Sequence, residues 1–151
     1  MNPSSLPRAA TPLRKRLAIL AALAAIGAAG AGPASALDLT LEVSGARSSQ
    51  GHVMAALYDS EQGWLKTALR GERVAAGERC VLVFKDLPAG TYAVAVFHDE
   101  NGNGRHDRNA VGIPIEPYGF SRDAAGKFGP PKFDAAAVLV QGDMTLAVKL
   151  Q

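Results

Sequence analysis

Cys80-Val81-Leu82-Val83-Phe84-Lys85-Asp86-Leu87-Pro88-Ala89-Gly90-Thr91-Tyr92-Ala93-Val94-Ala95-Val96-Phe97, residues 80–97, holds two apolar runs separated by a Pro-Ala-Gly turn signal. The runs Cys80 to Phe84 and Tyr92 to Phe97 are apolar at successive positions, which in a strand buries both faces. Proline and glycine between them favour a tight reversal. The stretch therefore predicts two consecutive strands in the centre of a two-sheet structure.

Working outward, the same logic repeats. Leu39, Leu41 and Val43 alternate with Asp38, Thr40 and Glu42, and Leu146, Val148 and Leu150 alternate with Thr145, Ala147 and Lys149. Period-two alternation marks half-buried strands. Val53 to Tyr58 and Ala135 to Val140 are further strand candidates, and Gln141-Gly142-Asp143 is a turn signal before the last one. Only Glu61 to Leu69 suits a short helix, with Trp64, Leu65 and Leu69 as its apolar face. Six or so short strands with almost no helix predict an all-β fold: one antiparallel β-sandwich of immunoglobulin or transthyretin type.

The N-terminus predicts export. Arg14, Lys15 and Arg16 precede an apolar run from Leu17 to Ala31, and Ala34-Ser35-Ala36 has the small-x-small form of a cleavage site. A Sec-type signal peptide over 1–36, cut after Ala36, is expected, with the protein periplasmic or secreted. The run is shorter than the roughly 18 residues of a membrane span. Four of the 16 basic residues lie in this leader and none of the 14 acidic ones, so residues 37–151 carry 12 basic against 14 acidic, a net charge of −2. That balance, with no basic cluster, argues against nucleic acid and anionic membrane as partners. The remaining 115 residues suit one domain. Cys80 is the lone cysteine; it excludes an internal disulfide and reads as a buried thiol in a strand.

From Asp99 to Lys132 the alternation stops and glycine and proline recur. Structureless loops of this length are uncommon in compact domains and are usually functional or disordered, and apolar anchors argue against disorder. Val111, Ile113, Ile115, Tyr118, Phe120, Phe128 and Phe133 are candidate apolar anchors, so an ordered excursion across one end of the sandwich is expected.

The excursion opens with a pattern that has two readings. Counting Asp99 as first, side-chain oxygens fall at positions one, three, five and nine (Asp99, Asn101, Asn103, Asp107), with Gly104 at six and Arg105 at seven, where a backbone carbonyl serves. This is the spacing of an EF-hand-like loop, whose hard oxygen donors suit calcium. Position twelve, which should be a bidentate glutamate, is Ala110; Glu116 is the candidate replacement. A metal-free turn is the competing reading, because repeated Asn-Gly after a strand is itself a strong turn signal. His98 and His106 read as exposed loop groups or supports for the aspartates; alternation along a strand would turn His98 away from Asp99. His52 reads as a surface residue.

Catalytic signatures are absent from the motifs. Gly119-Phe120-Ser121-Arg122-Asp123 lacks the second glycine of a nucleophile elbow, and Gly102 to Asp107 lacks the third glycine of a dinucleotide loop. Tyr118 and Phe120, two residues apart, could form a weak stacking platform for a sugar or a protein partner. Gly129-Pro130-Pro131-Lys132-Phe133 reads as a rigid lead into a strand, or as part of that platform's rim.

Asp86-Leu87-Pro88-Ala89-Gly90-Thr91-Tyr92-Ala93-Val94, His98-Asp99-Glu100-Asn101-Gly102-Asn103-Gly104, Gly112-Ile113-Pro114, Glu116, Tyr118-Gly119-Phe120-Ser121 and Gly129-Pro130-Pro131-Lys132-Phe133 together resemble a family of exported bacterial proteins of unknown function, numbered 2141 among such domains. The resemblance covers nearly all of residues 37–151 and implies a small periplasmic or secreted domain, with no activity attached. The Leu-Pro-x-Gly-x-Tyr element is also similar to the strand entry of prealbumin-like sandwich repeats in surface adhesins. The leading expectation is an exported, non-catalytic binding or envelope-accessory domain with a calcium-ordered loop and an envelope, glycan or peptide ligand. A metal-dependent enzyme built on Asp99, Asp107 and Glu116, and a purely structural envelope domain, are the alternatives.

Overall fold

The computed structural model describes residues 36–151; the expected signal peptide lies outside the described residues except for Ala36. Eight strands follow in chain order: β1 (Leu37–Ser44), β2 (His52–Tyr58), β3 (Arg70–Ala75), β4 (Arg79–Leu87), β5 (Gly90–Asp99), β6 (Tyr118–Phe120), β7 (Val138–Val140) and β8 (Met144–Lys149). They form two sheets. The first has the order β4-β1-β8, and the second the order β3-β2-β5-β6, with β7 also on β5.

Alternation decides what lies between the sheets. Leu39, Leu41 and Val43 from β1, Cys80, Leu82 and Phe84 from β4, Val53, Ala55 and Leu57 from β2, and Tyr92, Val94 and Val96 from β5 make one buried cluster. Every second residue of each strand points inward, as the period-two pattern requires. The expected sandwich is thus present, with Cys80 in its core. One pairing departs from the antiparallel rule: β1 is antiparallel to β4 but parallel to β8.

A second apolar cluster covers part of the outer face of the larger sheet. It comprises Tyr58, Trp64, Ala93, Phe120, Phe133 and Ala136. Trp64 is its centre, with ring centroids 5.0 Å from Tyr58, 5.8 Å from Phe120 and 6.0 Å from Phe133. Its indole N–H donates to the carbonyl of Pro131 at 2.8 Å. A buried indole needs such a partner, and this one ties the 61–67 turn to the Pro-Pro segment.

Three expectations are corrected. Glu61 to Leu69 is a set of turns rather than a helix: Leu65 takes a left-handed φ of 57°, which ends helical propagation, and Leu65 and Leu69 are exposed. Ala135 to Val140 is not one strand. Phe133–Ala136 is a single helical turn, α1, and only Val138–Val140 is extended. The reason is spacing: Phe133 and Ala136, three apart, face one way in a helix and bury together. Finally, β4 is the outer strand of its sheet rather than a central one, and its Val81 is exposed; β3 carries no sequence signal at all, because Arg70, Glu72 and Arg73 make it a charged edge strand. The Arg70 guanidinium donates to the carbonyls of Lys85 and Asp86, closing that side of the sandwich. Among the described residues no helix is long and apolar enough to cross a membrane.

Candidate functional site

The excursion leaves the sheet at the end of β5. His98 and Asp99 are its last strand residues and point to opposite faces. His98 goes inward and is completely buried, against the expectation of an exposed loop group. Its Nδ1 accepts the N–H of Arg47 at 3.2 Å, and its Nε2 donates to the carbonyl of Gln50 at 2.7 Å. An N–H on one side and a carbonyl on the other assign the ring proton to Nε2. The imidazole therefore pins the β1–β2 connection to β5. Gly51 in that connection has φ +71°, and a Cβ there would lie 1.9 Å from the Asp99 carbonyl oxygen, so no side chain is tolerated.

Asp99 goes the other way, into the loop. Its Oδ1 accepts the N–H of Asn103 at 3.1 Å and its Oδ2 that of Gly104 at 2.8 Å. Gly104 has φ +75°, the left-handed turn expected of it. Asn101 and Asn103 each direct Nδ2 at Asp107, at 2.6 Å and 3.0 Å. The Asn103 Oδ1 accepts the N–H of Arg105 at 2.8 Å. The four residues predicted from spacing alone thus converge in space, and the backbone curls around them. Glu116 meets the loop from the returning limb: Oε1 accepts the N–H of Glu100 at 3.0 Å, Oε2 that of Asp107 at 2.9 Å. It is buried and acts as a two-point clasp between the limbs. Arg47 adds a third tie, its guanidinium 3.2 Å from both Glu100 Oε2 and the carbonyl of Ile115.

Hard oxygens are therefore gathered here, but as a set of two aspartates and two carboxamides. Among the described residues no three His, Cys, Asp or Glu side chains stand close enough together to hold a metal ion. Glu116 uses both carboxylate oxygens on backbone N–H groups and Ala110 offers none, so the bidentate position of the EF-hand pattern has no free carboxylate.

The apolar residues of the excursion behave contrary to expectation. Val111, Ile113, Ile115 and Phe128 are exposed, Val111 by 77% and Phe128 fully; only Phe120 and Phe133 serve as anchors. Phe120 is buried against Trp64, so of the expected platform pair it is Tyr118 that reaches the surface. Tyr118 forms a row with His106 at 5.3 Å, and His106 with Phe97 at 5.2 Å.

A family model described as an uncharacterized protein conserved in bacteria (DUF2141) matches residues 41–147. The chain belongs to this family. The DUF2141 match runs from within β1 to within β8, so the sandwich and the whole excursion fall inside it. No curated protein and no solved structure shows significant similarity to the chain.

Two residues that position this DUF2141 site have no conspicuous sequence signal. Ser121, fully buried, accepts the N–H of Val94 at 2.9 Å and donates to the carbonyl of Ala136 at 2.5 Å. It fills the gap where the edge of β5 passes from β6 to β7. Asp123, at φ 48°, accepts the N–H of Lys149 at 3.0 Å, which joins the excursion to the other sheet.

Proposed function

We propose that the protein is an exported, non-catalytic binding domain of the bacterial envelope, and that the excursion from Asp99 to Lys132 presents its binding surface. One observation carries the reading: the excursion is inside out. Its two buried carboxylates, Asp99 and Glu116, are saturated with backbone hydrogen bonds, while Val111, Ile113, Ile115 and Phe128 face solvent. Folding alone favours the opposite arrangement, and exposed apolar side chains gathered on one segment mark interaction sites. The same saturation supports a non-catalytic role, since the groups an enzyme would recruit are each engaged, Asp99, Glu116, His98 and Ser121 by backbone and Asp107 by the Asn101 and Asn103 amides.

The test is the double substitution Ile113→Ser with Phe128→Ser. The melting temperature should stay within about 1 °C of the parent, because exposed sites contribute little to stability, and retention of the protein on isolated envelope material should be lost. Unchanged retention would overturn the binding role. A large fall in melting temperature would make these residues structural after all.

A calcium-ordered loop is the second reading, favoured by the convergence of Asp99, Asn101, Asn103 and Asp107. Rotation of the Asn101 and Asn103 amides would turn Oδ1 toward the Asp107 carboxylate, and the Arg105 carbonyl would complete an all-oxygen set suited to calcium. Without a free bidentate carboxylate the affinity should be about 10⁻³ M or weaker. Calcium at about ten times that Kd should then stabilise the protein by about 1.4 kcal/mol, with no effect in Asp107→Ala. Thermal melts in calcium and in magnesium measure this, and no shift in either would leave the loop a metal-free turn.

A further inference from the structure

A groove of about 520 Å³ is lined by residues from two arms of the excursion, 106–114 and 126–130, and by Tyr118. Its lining includes Arg108 and Lys127 and no carboxylate. Among the described residues neither cation forms a salt bridge. One guanidinium nitrogen of Arg108 donates to the carbonyl of Gly112 at 3.1 Å, which fixes the side chain and leaves its other N–H groups to a ligand. Ile113, Tyr118 and Phe128 supply exposed apolar surface beside the two charges. Aromatic faces next to unpaired cations, in a volume typical of small-ligand sites, call for a ligand with flat apolar faces and regularly spaced negative charge.

We infer that this groove binds an acidic oligosaccharide, a chain of uronate rings whose apolar faces stack on Tyr118 and Phe128 while their carboxylates meet Arg108 and Lys127. The inference deepens the binding role proposed above and rests on it. Planar guanidinium matches carboxylate in a two-point contact, and charge complementarity selects an acidic sugar over a neutral one. A peptide is the less suitable occupant. Peptides commonly add a strand to an open sheet edge, but the edge strand at this groove, β6, is already covered: Tyr118 donates its N–H to Gln151 and accepts that of Gln151 at 2.9 Å. Pro114 and Pro130, also in the lining, have no N–H to offer.

The experiment is a calorimetric titration of the purified protein with a hexuronate oligomer, a neutral hexose oligomer of equal length, and oligoglutamate. The hexuronate should bind, more weakly as salt is raised. Its affinity should fall at least about tenfold, roughly 1.4 kcal/mol, in Arg108→Gln with Lys127→Gln and again in Phe128→Ala, exposed sites at which melting temperature is unchanged. Equal binding of the neutral oligomer would overturn the role of the cations. Preference for oligoglutamate would make the ligand a peptide, and hexuronate binding that survives both variants would place it elsewhere. Envelope retention measured in parallel separates the two levels: no uronate binding with retention intact removes only the ligand class, whereas loss of both removes the binding role as well.

Discussion

At the scale of single residues, Glu116 makes the sharpest prediction. Its buried carboxylate takes two backbone N–H groups from opposite limbs of the loop, and hydrogen bonds to a charged acceptor contribute about 1.5–3 kcal/mol each. Glu116→Ala should therefore cost about 2–4 kcal/mol in urea denaturation, and Glu116→Gln, which keeps one acceptor, about half that. A loss below 0.5 kcal/mol, the usual range of a surface change, would show that the clasp does not hold the loop. Residues of this kind were only partly legible. The Asp99, Asn101, Asn103 and Asp107 spacing pointed to a converging loop, and alternation correctly separated His98 from Asp99. The same residues were silent on Glu116's real partners, because backbone N–H groups have no sequence signature. The burial of His98 is hidden for a related reason: a histidine before an aspartate resembles a loop residue, and nothing in the sequence shows that the backbone of Arg47 and Gln50 receives it.

At the scale of elements, what burial wrote into the pattern was readable and what charge or spacing hid was not. The strands around Cys80–Phe84 and Tyr92–Phe97 follow from their apolar runs. The edge strand β3 does not, since protection of an edge demands the polar residues that erase the pattern. The 61–69 segment has the helical spacing of Trp64, Leu65 and Leu69, yet only Trp64 is buried. Trp64 in turn fixes the proline segment through its indole N–H. Trp64→Phe keeps much of the packing and deletes this bond, so it should destabilise by about 1–3 kcal/mol through the unpaired buried carbonyl and the smaller ring. Limited proteolysis should show faster cleavage between Ala125 and Lys132, and unchanged cleavage there would mean the prolines alone set the segment.

At the scale of the whole molecule, the fold class was legible because two packed sheets require a repeated alternation, whereas the seam between the sheets was not, since Arg70, Asp123 and Gln151 close it through backbone partners. The pH dependence of stability belongs to this scale. Burial raises the pKa of Tyr58 from its ordinary 10.0 by penalising the phenolate. A folded-state pKa above the unfolded one gives stability that is fully present below pH 10 and is lost as pH rises through the folded value. Thermal melts should thus decline on the alkaline side, and Tyr58→Phe should flatten that decline; an identical decline in the variant would assign it to other groups. The parallel pairing of β1 with β8 has a consequence of a different kind, in time rather than energy. The first strand of the sandwich lies in the middle of its sheet, and Leu41 is paired with Leu146, 105 positions away. Contacts so distant along the chain make folding slow, on the order of milliseconds to seconds. The central strand must wait, half of its hydrogen bonds open, until β8 is available to pair with it.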